Sequence, residues 1–205
     1  MYLTKLTFNS RSAQARRDLG DAYEMHRTLV RAFVTDPQSS PPRFLWRLEP
    51  FIDSSQGPNV LVQSQDQGDW KVLEQLPNYL LRPAETKDVD MTRLVRLGRR
   101  YRFLLLANPT VSRKGKRLAL LQQTEQAAWI ERQGGRHGFV VQSLVVRPHD
   151  LLDRSGAEKA PICVQRVRFE GLLEVRQAAA FEQALVAGVG PAKAFGCGLL
   201  SVAPC

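Results

Sequence analysis

His26 is the side chain from which a reaction could most readily be built in this 205-residue sequence. Asp21 with Glu24 three residues on has the spacing of a helix-capping box. Ala22, Met25, Leu29, Ala32 and Phe33 then recur at helical spacing. On a wheel advancing about 100° per residue, the apolar stripe centres near Leu29. His26 lies about 60° from that centre and Tyr23 about 60° further round on the same side. Arg27 and Arg31 continue onto the polar flank. An imidazole, with an ordinary pKa of about 6.5, is an acid/base group at neutral pH. Beside a phenol and two guanidinium groups it makes the combination that metal-free RNA cleavage requires. A packed histidine with a satisfied hydrogen bond fits the same shoulder of the stripe, so the wheel leaves both readings open.

Other chemistries find less support. His26, His137 and His149 are scattered, with no carboxylates or thiols at ligand spacing around them, so neither a metal nor another cofactor is expected. Cys163, Cys197 and Cys205 are odd in number and lack C-x-x-C spacing. They read as reduced thiols of a cytoplasmic protein. The stretch Gly188 to Gly198 is glycine-rich, but no Gly-Lys-Ser/Thr opens a helix there and the G-x-G-x-x-G pattern is absent. It precedes the last expected strand and reads as a tight loop where backbone approaches either another backbone or a phosphate.

The formal charge is +9, and its placement is uneven. From Met91 to Arg117 there are nine basic residues and no acidic one: Arg93, Arg96, Arg99, Arg100, Arg102, Arg113, Lys114, Lys116 and Arg117. The rest of the chain balances. Arginine outnumbers lysine 22 to 7, and its planar fork suits phosphates and bases. The pattern fits a polyanion surface, nucleic acid foremost. A solvated basic loop in an arginine-rich chain is the plainer reading, and an acidic protein or membrane surface a third.

The elements that must position these groups follow from periodicity. Met1 to Phe8 alternates like a strand, the His26 helix follows with Asp36-Pro37 and Pro41-Pro42 as its stop, and Arg43 to Leu48 and Asn59 to Gln65 read as strands. Asp69 to Gln75 is a short helix and Arg100 to Leu106 a strand, giving β-α-β-β-α-β. The second half repeats it: a strand at Arg117 to Leu121, a helix capped by Thr124, strands at Phe139 to Val146 and Ile162 to Val175 with a bulge at Gly171, a helix at Ala178 to Val186 and a strand at Leu199 to Val202. The expected fold is α+β, two tandem ferredoxin-like (RRM-like) βαββαβ domains, residues 1–108 and 109–205, joined near Asn108-Pro109. With 43% apolar and 24% charged residues the composition is that of a globular protein. No apolar run approaches the roughly 20 residues of a membrane helix, and the first residues lack a signal-peptide core.

Several of these stretches resemble one family. Tyr23-Glu24-Met25-His26-Arg27-Thr28-Leu29 on the helix, Ala107-Asn108-Pro109 at the joint, Phe169-Glu170-Gly171 in the long strand and the ending from Gly188 to Ser201 look like CasE, the CRISPR RNA-processing endoribonucleases of the type I-E Cascade complex. The resemblance runs from Leu3 to Pro204. It implies tandem ferredoxin-like domains and metal-independent cleavage of the CRISPR repeat at the 3′ base of its stem-loop, with the hairpin then kept bound. The implied partners are that stem-loop RNA (and the mature crRNA) and the other Cascade subunits, in the cytoplasm. The family's histidine and tyrosine match His26 and Tyr23. Its basic hairpin, which reads the stem in the major groove, falls nearest Arg147 to Arg168, where Arg154, Lys159, Arg166 and Arg168 are the candidates. The glycine loop would bring Gly188, Gly190, Lys193, Gly196 and Gly198 close to RNA backbone, with amides as donors. Members often alternate Arg through the strand that here carries Leu104, Leu105 and Leu106. Arg99, Arg100, Arg113, Lys114, Lys116 and Arg117 could stand in. A non-catalytic subunit that only caps the guide is the alternative, and His26 with Tyr23 argues against it. No RNP motif appears, so base stacking on the sheet face is not expected.

Such a reaction uses the 2′-hydroxyl as nucleophile, in line with the scissile phosphate, and needs the leaving 5′-oxygen protonated and the added charge stabilised. His26 would move the proton, its pKa lowered by nearby guanidinium groups. Tyr23 would orient a hydroxyl or phosphate oxygen, and Arg27 or Arg31 would offset the phosphorane charge. The expected ends are a 2′,3′-cyclic phosphate and a 5′-hydroxyl.

Overall fold

A computed structural model describes residues 1–34, 40–50, 57–154 and 162–205. The chain divides into two compact units, Met1–Asp90 with Ala194–Gly196, and Met91–Lys193 with Cys197–Cys205. Among the described residues no helix is long and apolar enough to cross a membrane.

The first unit runs β1 (Tyr2–Thr7), α1 (Ala13–Gly20), α2 (Ala22–Val30), β2 (Phe44–Leu48), β3 (Asn59–Ser64), α3 (Lys71–Glu74) and β4 (Glu85–Asp88). Its sheet has the order β2-β3-β1-β4, antiparallel throughout, with Leu6 opposite Val60 and Thr4 opposite Thr86. One face of β1 is buried at Thr4, Leu6 and, just beyond the strand, Phe8. These pack with Met25, Leu29, Trp46, Val62, Leu73 and Tyr79. Two elements escape the periodicity reading. α1 has just two buried residues, Ala15 and Asp18, so its apolar stripe is too thin to register. β4 is Glu-Thr-Lys-Asp, exposed at every position. It is an edge strand whose charges guard the sheet rather than fill a core.

The second unit runs α4 (Met91–Leu94), β5 (Arg100–Ala107), β6 (Thr110–Arg113), β7 (Lys116–Ala119), α5 (Gln123–Arg136), β8 (Phe139–Arg154), β9 (Ile162–Val175), α6 (Ala178–Ala187) and β10 (Leu200–Pro204). Its sheet order, β10-β5-β9-β8, is that of the first sheet read from the other edge: fourth, first, third and second strand of each half. Both halves are therefore ferredoxin-like. The strand Arg100 to Leu106, expected to close the first half, instead opens the second. Tyr101, Phe103, Leu105 and Ala107 are buried with Trp129, Phe139 and Phe169, and the compact units divide at Asp90/Met91 rather than at Asn108-Pro109. In this central strand between β9 and β10, exposed Arg100 and Arg102 alternate with buried Tyr101 and Phe103, and the second face becomes covered only toward the end, where Leu104 is half-buried and Leu106 buried. The expected strand at Arg117 to Leu121 belongs to a separate two-stranded sheet, β6-β7, inserted between β5 and α5. The N-cap of α5 is Gln122, not Thr124. The bulge lies on the partner of Gly171: register shifts between Val141 and Ser143. Gly171 itself allows close approach, since a Cβ there would sit 2.0 Å from the Ser143 carbonyl oxygen.

Candidate active site and nucleic-acid interface

The helix carrying His26 is held at several points. Asp21 caps it, accepting from the amides of Tyr23 (2.8 Å) and Glu24 (3.4 Å). Met25 and Leu29 are fully buried, each worth about 2 kcal/mol of apolar burial. The third anchor is polar. Asp18 on α1 is wholly buried and accepts from Thr28 Oγ1 at 2.8 Å, Tyr79 OH at 2.7 Å and the Arg17 guanidinium at 2.9 Å. Burial, and then the bond to Asp18, pushes the Tyr79 phenol far above its ordinary range, so it stays a donor. Asp18 thereby ties α1, α2 and the Tyr79 segment together.

His26 is half-buried, its ring stacked on Phe44 at 5.1 Å between centroids and 22° between planes. Phe44 in turn stacks on Phe33 at 4.8 Å. Its Nδ1 is buried and has no hydrogen-bond partner among the described residues. The ring is thus held by stacking on Phe44 rather than by a hydrogen bond at Nδ1. Burial lowers its pKa from the ordinary 6.5, so the neutral, base-competent form prevails at pH 7. The cause is burial rather than the expected guanidinium neighbours. Tyr23 is 41% exposed, with the Arg27 guanidinium 5.9 Å from its ring centre. Arg27 also bonds Glu24 at 3.1 Å, so its charge is shared, whereas Arg31 is exposed at the C-cap of α2.

The basic residues of the second unit sort into two kinds. On the long β8-β9 hairpin, Arg166 is 8% exposed and doubly bonded to Asp150, and Arg168 pairs with Glu170. Arg154 is the last residue of β8, and Lys159 lies outside the described residues. The β6-β7 hairpin is different. Lys114 (φ 49°) and Gly115 (φ 74°) form its two-residue turn, Arg113 faces Lys116, and Arg113, Lys114, Lys116 and Arg117 are all exposed. Positive φ at both turn positions gives a type I′ hairpin whose twist suits two strands.

The glycine loop is stitched into the protein. Gly188 (φ 76°) ends α6 and donates to Ala184 O at 2.9 Å. Val189 N donates to Gly198 O at 2.9 Å, and Gly198 N to Leu106 O at 2.7 Å. The amides of Gly188 and Gly198, expected as donors to RNA, are thus spent internally. A Cβ at Gly190 would sit 3.0 Å from the Trp129 ring and one at Gly196 3.2 Å from Trp46, so part of the glycine pattern serves packing. Lys193 Nζ donates to Gly190 O at 2.7 Å.

Periodicity overlooked Asp18, and also Arg132 and Arg136. The two arginines sit four apart on α5, both exposed, and with Arg117 and Lys193 they line a cleft of about 840 Å³. Their signal was present: like charges at that spacing destabilise a helix, so their presence asks for an external reason. Among the described residues no three His, Cys, Asp or Glu side chains converge as a metal site would require.

Comparison with known proteins places the whole chain in one family. A family model described as CRISPR associated protein matches residues 1–204. The chain is 39% identical to the CRISPR-associated endoribonuclease Cse3 of Thermus thermophilus and 31% identical to the CRISPR system Cascade subunit CasE of Escherichia coli, each alignment covering both proteins completely. It superposes on a structure of the CRISPR endoribonuclease Cse3 bound to a 19-nucleotide RNA with a TM-score of 0.87, at 39% identity over all of both chains.

Proposed function

This chain belongs to the CRISPR-associated protein family that includes Cse3 and CasE, and from that membership we infer that it is the endoribonuclease that processes CRISPR repeat RNA. It binds the repeat stem-loop, cleaves it to give mature crRNA, keeps the hairpin bound and works as a subunit of Cascade. Its place is the cytoplasm.

The observation that carries the residue assignment is the half-buried His26, with its lowered pKa and its orphaned Nδ1. In-line attack of the 2′-hydroxyl at the 3′ base of the stem-loop needs a group that accepts a proton at neutral pH, and a desolvated neutral imidazole is one. His26 takes that role. Tyr23, exposed one turn before it, orients the attacking hydroxyl or a phosphate oxygen. Arg31, at the end of the same helix, offsets the phosphorane charge, with Arg27 secondary because Glu24 shares its guanidinium. The products carry a 2′,3′-cyclic phosphate and a 5′-hydroxyl. The cations at the tip of the β6-β7 hairpin, Arg113, Lys114 and Lys116, meet duplex phosphates, while Arg117 faces the neighbouring cleft. Arg166 and Arg168 reach RNA only by exchanging Asp150 and Glu170 for phosphate.

The test is a denaturing-gel cleavage assay on the cognate repeat with EDTA present, comparing wild type with His26→Ala and an RNA carrying a 2′-deoxy nucleotide just 5′ of the cut. Cleavage by wild type of the all-ribose RNA alone supports the scheme. A 5′-phosphate on the downstream product contradicts it, and tight binding without cleavage marks a guide-capping subunit.

A further inference from the structure

The cleft between the β6-β7 hairpin, α5 and the start of the glycine loop is lined by Arg117, Arg132, Arg136 and Lys193, with no acidic side chain in its wall. Several other arginines of this unit meet carboxylates: Arg166 with Asp150, Arg168 with Glu170, Arg100 and Arg176 with Glu174. Arg117, Arg132 and Arg136 have no such pair among the described residues. Concentrating three exposed guanidinium groups without carboxylate partners favours an anion that comes to them. The field reaches neighbouring groups. His137, the residue after Arg136, has a pKa lowered first by burial and then by Lys193 and Arg136.

The cleft also has a floor. The Trp129 ring, stacked on Phe169 at 5.7 Å, borders it, and Thr110 and Ser112 add hydroxyls. At about 840 Å³ it has the size of a small-ligand site, with room for a few nucleotides. Several guanidinium groups lining one cleft suit the backbone of a single strand, whereas an A-form stem is met through its phosphates from outside.

We propose that this cleft binds the sugar-phosphate backbone of the single-stranded RNA that flanks the repeat stem-loop, with Arg132, Arg136 and Arg117 as phosphate contacts and Lys193 completing the wall. The proposal rests on the RNA-processing reading above. It deepens that reading by separating a flank-binding subsite from stem recognition.

The experiment measures affinity for three RNAs, each 2′-deoxy at the cut so that none is cleaved: the bare stem-loop, the stem-loop with its 5′ flank, and the stem-loop with its 3′ flank. Wild-type protein is compared with Arg132→Ala/Arg136→Ala and, as a stronger probe on the same exposed helix face, Arg132→Glu. The expected result is unchanged affinity for the bare stem-loop and about tenfold weaker binding of one flanked RNA. The slope of log affinity against log salt should shrink by about 1.4 for two lost single-strand contacts. The affected RNA identifies the flank. Equal losses on all three RNAs would place the stem in the cleft and overturn the proposal. Unchanged binding of all three by both variants would also overturn it, leaving an acidic protein surface as the cleft's partner. Wild type that binds none of the RNAs would bring down the RNA-processing reading itself.

Discussion

The two halves share one strand order and contrast in chemistry at the connection that follows the first strand. After β1 the chain makes two helices, and the second carries His26 and Tyr23. After β5 it makes a basic hairpin before its helix, and that helix carries Arg132 and Arg136. The first connection is anchored inward, with Asp18 buried under it and Arg17 and Arg27 paired to carboxylates. The second is turned outward, with its cations left to solvent. The scaffold is the same; on the proposed reading, what is grafted at the first crossover decides whether a half supplies a proton-transfer group or a counter-charge for phosphate. Chemistry asks for a fixed, partly desolvated side chain, while recognition of a polyanion asks for exposed ones.

The largest effect that could break this division is His26→Ala. It should slow cleavage by about 10² to 10⁴ with RNA affinity nearly intact, measured by single-turnover cleavage beside equilibrium binding. An equal loss of affinity would make His26 a recognition residue and erase the contrast. Next comes the anchor. Asp18→Ala strands the buried Thr28 and Tyr79 hydroxyls and should cost about 3 kcal/mol in denaturant unfolding, while Asp18→Asn, which keeps an acceptor, should cost less. A loss of cleavage rate without loss of stability would show that Asp18 acts on the reaction instead. In the second half, Lys114→Ala/Lys116→Ala should weaken stem-loop binding by about tenfold and lower the salt slope by about 1.8, with the rate of the bound complex unchanged. A changed rate at saturation would mean the hairpin also serves the chemistry.

The smallest effect concerns pH. Because burial lowers the pKa of His26, the acid limb of the single-turnover rate should fall below pH 6.5. Phe44→Leu, which removes the stacked ring, should move that limb up toward 6.5. A wild-type limb at or above pH 7 would contradict the desolvated base. The sign for stability follows the same shift. The unfolded chain binds protons more readily than the folded one below about pH 6.5, so the contributions of His26, His137 and His149 are present above that pH and lost as pH falls through their lowered values. The melting temperature should drop on acidification accordingly.

The tandem βαββαβ architecture and the His26 helix were legible because both rest on strong periodicity: β1 alternates, and Met25, Leu29 and Ala32 repeat at helical spacing. Periodicity misjoins the halves because β4 has no apolar residue to announce it, so β5, a central strand with an unbroken Leu run, fits the vacant last place of the first half. Asp18 was invisible because a buried carboxylate is defined by Thr28 and by Tyr79, 61 residues away, and by no local pattern. The lowered pKa of His26 could be anticipated in direction. Its cause, burial against Phe44, is a tertiary contact.

The hairpin closes at its own base: Leu120 N donates to Pro109 O at 2.9 Å, and Thr110 pairs with Ala119. The two ends of the insert are therefore neighbours before any of its ten residues is counted, and none of those residues belongs to the four-stranded sheet. Such a segment can be lengthened, shortened or exchanged without shifting the register of β5 against β9 or β10. Natural variation in repeat stems could thus be followed by rewriting this cassette alone, while the half that carries His26 remains untouched.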